Sequence, residues 1–234
     1  MRILFFVVAY YLMVIYILNI EKGDYVTRNS YDNDTVFKVI NIKNGVYYLK
    51  GVEVRLIADA EVTDLRKEEN INEDNVIDDI DLLDDNLDRG EFFYLPAKVL
   101  HIDSDEEYLS RCLKFYKKNG IMAIGKKINE KNVYEQLPML LKEFKPDIVI
   151  ITGHDAYYRK KGDAKDINNY KNSLYFVKAV KTARNYEKSH EKLVVIAGAC
   201  QSDYEELIKA GANFASSPKR VNIHALDPAI IAST

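Results

Sequence analysis

Two residues that can form a nucleophile–base pair stand directly after two apolar runs of the sequence. His154 follows the run at residues 147–152, and Cys200 follows the run at residues 193–199. Both runs are rich in β-branched residues, which is typical of strands buried on both faces of a parallel sheet. A helical pattern separates them, so we expect a βαβ unit whose strands are neighbours and end at the same edge of the sheet. Reactive crevices of open α/β sheets lie beyond those ends.

An imidazole and a thiol at these positions are the groups that a cysteine hydrolase requires. A free thiol is only slightly ionised at neutral pH, and a nearby imidazole supplies the thiolate, either as base or as imidazolium partner. The spacing of His154 and Cys200 is close to the roughly 50 residues that separate the same pair in caspases. The alternative is that Cys200 is a small buried apolar residue and His154 a hydrogen-bonded loop residue.

Composition and charge limit the class of protein. The chain has 234 residues, of which 47% are hydrophobic, and a net charge of −3. It can form one large domain or two unequal ones, and its charge gives no reason to expect nucleic-acid binding. The cysteines Cys112 and Cys200 suggest neither a disulfide scaffold nor a zinc-ligand pattern, so we expect no metal and no cofactor. Cys112 lies in a helical pattern and is predicted to be a core residue.

Four segments differ in character along the chain. Residues 1–20 are an apolar extension, interpreted as translated sequence upstream of the true start, as a membrane anchor, or as a strand-rich extension. Residues 21–58 predict a small SH3-like β module, similar to a β-barrel. Residues 59–90 are strongly acidic and predict a solvated linker. Residues 91–234 alternate strands with helices, which predicts a doubly wound, largely parallel α/β sheet.

The last segment ends in a pattern typical of a continuing helix. Asp227 and Pro228 resemble a helix start, and the chain stops six residues later at Thr234. We therefore expect the α/β domain to be C-terminally truncated.

Several motifs resemble the YabG family of sporulation-specific peptidases, and the resemblance extends over residues 21–234. The motifs that carry this resemblance are GDYVTRNSY at residues 23–31, ITGHDAY at 151–157, GACQS at 198–202, AGANFASSP at 210–218 and VNIHALDP at 221–228. The resemblance implies a cysteine peptidase that processes spore coat and cortex-associated proteins and cleaves after basic residues. It implies a location in the mother-cell cytoplasm or at the forespore surface and spore coat. Contact with a membrane is expected only if residues 1–20 are an anchor.

The layout also looks like the caspase, legumain and gingipain type of fold, in which His follows one central strand and Cys the next. In those enzymes a glycine usually follows the His and helps to form the oxyanion hole. Here Gly153 precedes His154 and Asp155 follows it, and we take these two as candidate oxyanion residues. A specificity-pocket carboxylate would pair with a substrate guanidinium. The candidates just past strand ends are Asp103, Asp105, Asp155 and Asp203, of which Asp155 and Asp203 are our predicted substrate-binding residues.

Two other functions stay open at this stage. A glutamine-amidotransferase-like or other small-molecule amidase also carries Cys on a strand-to-helix turn, although the usual Gly-x-Cys-x-Gly elbow is incomplete around Cys200. A non-enzymatic spore coat assembly protein would use the β module and the acidic linker for contacts. The other histidines are expected to have structural or solvated positions, and they are His101, His190 and His224.

Overall fold

The computed structural model describes residues 20–68, 71, 97–219 and 221–234. The chain divides into two compact units, Met1–Val76 and Ile77–Thr234. Apart from Ile20, which packs in the core of the first unit, the predicted apolar extension lies outside the described residues. Within the described ranges no helix is both long and apolar enough to cross a membrane.

The first unit contains a five-stranded antiparallel sheet, in agreement with the predicted β module. The strands are β1 (Tyr25–Arg28), β2 (Phe37–Lys43), β3 (Val46–Gly51), β4 (Ile57–Glu61) and β5 (Leu65–Glu68). Their order in the sheet is β4-β3-β2-β1-β5. The hairpin between β2 and β3 turns at Asn44 and Gly45, which both have positive φ, as a two-residue type I′ turn demands. One face buries a small apolar core that includes Val26, Phe37 and Leu49.

The predicted start of the acidic linker at residue 59 is wrong, because the sheet continues through β4 and β5. Each of these charged strands buries one apolar residue, Ala60 in β4 and Leu65 in β5, while most of their charged side chains remain at the surface. Lys67 of β5 also forms a 2.7 Å ion pair with Asp24. Edge strands tolerate such sequences because only one side of the strand is paired. Apart from Ile71, the remainder of the predicted linker lies outside the described residues.

The second unit is a doubly wound α/β domain, which confirms the predicted fold class. Its strands are β6 (Val99–Asp103), β7 (Ala123–Lys127), β8 (Ile148–Thr152), β9 (Val194–Ala197) and β10 (Phe214–Ala215). These five strands are all parallel and have the order β10-β9-β8-β6-β7, with β8 in the centre. The helices are α1 (Glu106–Lys118), α2 (Glu130–Phe144), α3 (Ser173–Tyr186), α4 (Tyr204–Lys209) and α5 (Asp227–Ile231).

Helices cover both faces of this sheet, and alternate residues of its strands face opposite cores. Val149 and Ile151 of β8 pack in the core formed with α2 and α3. Ile150 packs in the core formed with α1 and α5, together with Cys112. Burial on both faces explains why the strand sequences are continuous apolar runs. The prediction that Cys112 is a core residue is confirmed.

The strand order reverses beside β6, because β7 lies on one side of it and β8 on the other. Such a topological switch point opens a crevice beyond the carboxyl ends of the two strands beside it, here β6 and β8. Asp103 ends β6 and Thr152 ends β8, so the residues that follow them line this crevice.

Candidate active site

His154 is held by three different elements just beyond the end of β8. Its ring Nε2 lies 3.1 Å from Oδ2 of Asp105, which precedes α1. Its backbone N–H donates to Oε1 of Glu130, the first residue of α2, at 2.8 Å. Its carbonyl accepts a 2.7 Å bond from Nδ2 of Asn172, which precedes α3. The backbone and one ring nitrogen of His154 are therefore fixed by the starts of three helices.

The Glu130 carboxylate sits against Gly153 and requires a glycine there. Glu130 is buried, and its Oε1 also accepts a 2.5 Å bond from Oγ of Ser104. A Cβ added at Gly153 would lie 2.5 Å from that Oε1 and 2.7 Å from the Ser104 hydroxyl. Close approach of a carboxylate to the backbone therefore explains the glycine before His154. The predicted contribution of Gly153 to an oxyanion hole stays a prediction.

Asp105 is oriented by the helix that it caps. Its Oδ1 accepts the backbone N–H groups of Glu107 and Tyr108, at 3.0 and 3.2 Å, in the first turn of α1. Its own N–H donates to Oδ1 of Asp103 at 2.9 Å. Because Oδ1 and the backbone N–H of Asp105 form these hydrogen bonds, Oδ2 is the oxygen that contacts Nε2 of His154.

Cys200 is buried just beyond the end of β9. Its Sγ accepts a hydrogen bond from the backbone N–H of Ile223, at 3.3 Å. An N–H donor directed at sulfur stabilises negative charge on it. The following helix, α4, starts after Asp203, and Oδ1 of Asp203 caps it by accepting the N–H of Glu206. Cys200 therefore stands between a strand end and a helix start.

His154 and Cys200 occupy equivalent positions on neighbouring strands. Ile151 of β8 pairs with Ala197 of β9, and each candidate residue follows three positions after its member of that pair. Gly198 continues the pairing by donating its N–H to the carbonyl of Ile151 at 3.0 Å. The prediction that the two strands are neighbours with a common direction is confirmed.

Asp155 uses its carboxylate for contacts within the protein. Its Oδ1 accepts the N–H groups of Ala156 and Asn172, and its Oδ2 accepts the hydroxyls of Ser173 and Ser202. Burial raises the pKa of Asp155, although these hydrogen bonds act in the opposite direction. The proposed roles of Asp155 and of the more deeply buried Asp203 in substrate binding stay predictions, as does the oxyanion role of Asp155.

The segment between Asp155 and α3 is held together by contacts among its own residues. Tyr157 forms an isolated bridge with Tyr170, and the centroids of their rings are 5.1 Å apart. The hydroxyl of Tyr157 donates to the carbonyl of Gly162, and that of Tyr170 to the carbonyl of Ala164. The backbone N–H of Tyr157 is 3.3 Å from Oε1 of Gln201, which connects this segment to the Cys200 loop.

The other histidines have the structural positions expected of them. His101 is buried and its Nδ1 lies 2.9 Å from the hydroxyl of Tyr116. His190 contacts the guanidinium of Arg184, and Nδ1 of His224 accepts the N–H of Leu226. The residues that the structure describes contain no group of three or more His, Cys, Asp and Glu side chains that could hold a metal ion.

Two residues that hold His154 were missed by sequence reasoning, Glu130 and Asn172. Both stand at helix starts, where polar residues usually serve as local caps, so their types carried no separate signal. Asp105 was named only as one possible specificity-pocket residue. Its position before Glu106 and Glu107 is a recognisable helix start, but nothing local indicates contact with His154.

The second unit is an α/β domain with an imidazole and a thiol beyond the ends of two neighbouring parallel strands, and comparison with known proteins identifies its family. The family model for the YabG peptidase U57 matches residues 21–234. The sporulation-specific protease YabG of Bacillus subtilis (strain 168) is 42% identical over 243 aligned residues, which cover 92% of this chain and 84% of that protein. The chain therefore belongs to the YabG peptidase family, and it is a protease.

Proposed function

We propose that this chain is a sporulation-specific cysteine endopeptidase with Cys200 as nucleophile and His154 as its base or imidazolium partner. The observation that carries the proposal is their equivalent position beyond Ile151 and Ala197, a directly paired couple on neighbouring parallel strands. The N–H of Ile223 adds a donor that suits a thiolate at Cys200. Both groups lie near the crevice where open α/β sheets place their reactive residues.

The chemistry of the proposed pair is thioester formation followed by hydrolysis. The Cys200 thiol gives its proton to His154, and the thiolate sulfur bonds to the carbonyl carbon of the substrate. The carbon–nitrogen bond then breaks, and the imidazolium gives its proton to the leaving amine. A water molecule, deprotonated by the imidazole, adds to the thioester carbonyl. Carbon–sulfur cleavage then releases the acid product, and the thiolate recovers its proton.

The proposed substrates are proteins of the spore coat and cortex, cut after Arg or Lys. The motif resemblance and the similarity to the sporulation-specific protease of Bacillus subtilis support this part of the proposal. A carboxylate near the crevice would pair with the basic side chain, and Asp155 and Asp203 are the proposed groups. We propose that the enzyme acts in the mother-cell cytoplasm or at the forespore surface and spore coat, without nucleic acid as a partner.

Covalent labelling tests the proposal. A peptidyl chloromethyl ketone ending in Arg should alkylate Cys200 and leave Cys112 unmodified, as read by peptide mass spectrometry. The matched reagent ending in Gln should react far more slowly. His154→Ala should slow the labelling of Cys200, since less thiolate would form. Labelling that spares Cys200 in folded protein, or that prefers the Gln reagent, would contradict a basic-specific cysteine peptidase.

A further inference from the structure

The imidazole of His154 presents its two ring nitrogens to different surroundings. Nε2 contacts Oδ2 of Asp105 at 3.1 Å, and both side chains are largely shielded from solvent, with 24% and 14% exposed. Nδ1 has no hydrogen-bond partner among the described residues. The tautomer of a neutral imidazole is set by the bond that one nitrogen makes, so a carboxylate at Nε2 fixes the proton there.

We propose that Asp105 is the positioning residue of His154, an inference that rests on the proposed dyad with Cys200. By accepting a hydrogen bond from the Nε2–H group, Asp105 leaves the lone pair of Nδ1 to receive the thiol proton of Cys200. After that transfer the carboxylate faces an imidazolium, which it stabilises by charge. Asp105 itself neither bonds to the substrate nor gains a proton.

The strand order places the three residues in a matching sequence. Asp105 follows β6, His154 follows β8, and Cys200 follows β9, and these three strands are consecutive in the sheet. A group beyond β8 therefore has the carboxylate on one side and the sulfur on the other. This arrangement allows one nitrogen of the ring to serve each neighbour.

The other groups around His154 do not duplicate this contact. The Glu130 carboxylate binds the backbone N–H of His154, and that of Asp155 binds serine hydroxyls and backbone N–H groups. The Tyr108 ring lies beside the imidazole with its centroid 6.0 Å away. Among the described residues, Asp105 is thus the one charged group in direct contact with the ring.

Asp105→Asn separates positioning from helix capping. Asn caps helices about as well as Asp, so its carbonyl oxygen can keep the bonds to Glu107 and Tyr108. Its amide NH₂ then replaces Oδ2 and presents a donor to Nε2, which favours the opposite tautomer of His154. We expect kcat for an Arg-containing peptide to fall by a factor on the order of 10² to 10⁴, with little change in KM or in the midpoint of thermal unfolding.

Glu106→Gln is the matched control, because it removes a neighbouring carboxylate on the same helix turn. Glu106 pairs with Lys127 at 2.7 Å and is exposed, so kcat should stay at the wild-type value. Equal losses in Asp105→Asn and Glu106→Gln would indicate a general charge effect and contradict a positioning role. A wild-type kcat in Asp105→Asn would contradict it as well.

Nitrogen-15 NMR of the imidazole tests the inference without relying on activity. In Cys200→Ala protein at alkaline pH, the His154 ring should carry its proton on Nε2, and adding Asp105→Asn should move it to Nδ1. Assignment follows from the signals lost in His154→Ala. A proton on Nδ1 in the presence of Asp105, or a tautomer that ignores Asp105→Asn, would overturn the inference. If the proposed function itself were wrong, Cys200→Ala protein would instead cleave peptide at the wild-type rate.

Discussion

The side chains of Asp155 and Ser202 join the two loops that carry the proposed dyad. Oγ of Ser202 donates to Oδ2 of Asp155 at 3.0 Å and accepts the N–H of Ala199 at 2.9 Å. Asp155 directly follows His154, and Ser202 stands two residues after Cys200. The relative position of the two reactive residues therefore depends on a partly buried carboxylate, which contacts neither the imidazole of His154 nor the sulfur of Cys200 in the hydrogen bonds described above.

Removing this carboxylate should destabilise the fold. In Asp155→Ala the hydroxyls of Ser173 and Ser202 and the N–H of Asn172 would lose their acceptor. Buried donors without a partner cost about 1–3 kcal/mol each, and partial relaxation should leave a net loss of about 2–4 kcal/mol. Urea unfolding measures the loss, and a change below about 0.5 kcal/mol, typical of surface substitutions, would show that the network is not structural.

The same carboxylate predicts a pH dependence of stability. Because burial raises the pKa of Asp155 above its usual 3.8, the folded protein binds this proton more tightly than the unfolded chain. Between those two pKa values, the contribution of Asp155 to the unfolding free energy falls as the pH rises. Asp155→Asn has no such titration. The unfolding free energy of wild type minus that of Asp155→Asn should therefore decrease with rising pH above 3.8 and then level off. An increase over that range would contradict the assignment.

Gly153→Ala should damage the site through Glu130. The new Cβ would approach Oε1 of Glu130 to 2.5 Å, so the carboxylate that binds the N–H of His154 must move. Forcing extra atoms into a packed region typically costs about 1–3 kcal/mol. We expect a lower thermal midpoint together with reduced peptide cleavage. Wild-type stability and cleavage in Gly153→Ala would mean that the Glu130 contact is readily rearranged.

His154→Ala should lower turnover without unfolding the domain. Loss of a positioned acid–base group reduces the rate by a factor on the order of 10² to 10⁴. His224→Ala provides a histidine control, since Nδ1 of His224 accepts a local backbone bond from the N–H of Leu226. Steady-state cleavage of an Arg-containing peptide separates the two variants. Equal activity of both would remove His154 from the mechanism.

The α/β fold could be predicted because the two signals that define it are local. Continuous β-branched runs mark strands buried on both faces, and helical periodicity marks the segments between them. The predicted β module ended at residue 58, inside β4, and β5 was missed because three of its four residues are charged. Their identity depends on pairing with β3 and β1 at the edges of the sheet, which no local pattern records.

The common sheet edge of His154 and Cys200 could be predicted for the same reason, and the residues that contact His154 could not. His154 and Cys200 each follow a recognisable strand, so their common edge follows from the topology of parallel strands. Contact between Asp105 and His154 requires that β6 and β8 be neighbours, with β7 placed outside them. That order is a property of the assembled sheet. The contacts of Glu130 and Asn172 with His154 depend in the same way on where helices begin in three dimensions.

Cleavage by Cys200→Ala and Cys112→Ala proteins tests the central claim most directly. Both cysteines are buried, but Cys112 packs among apolar residues on the inner face of α1, while Cys200 stands beyond the end of β9. With an Arg-containing peptide, Cys200→Ala should show no turnover while remaining folded, and Cys112→Ala should keep turnover near the wild-type rate. Full residual cleavage by folded Cys200→Ala protein would contradict a cysteine peptidase mechanism at this site.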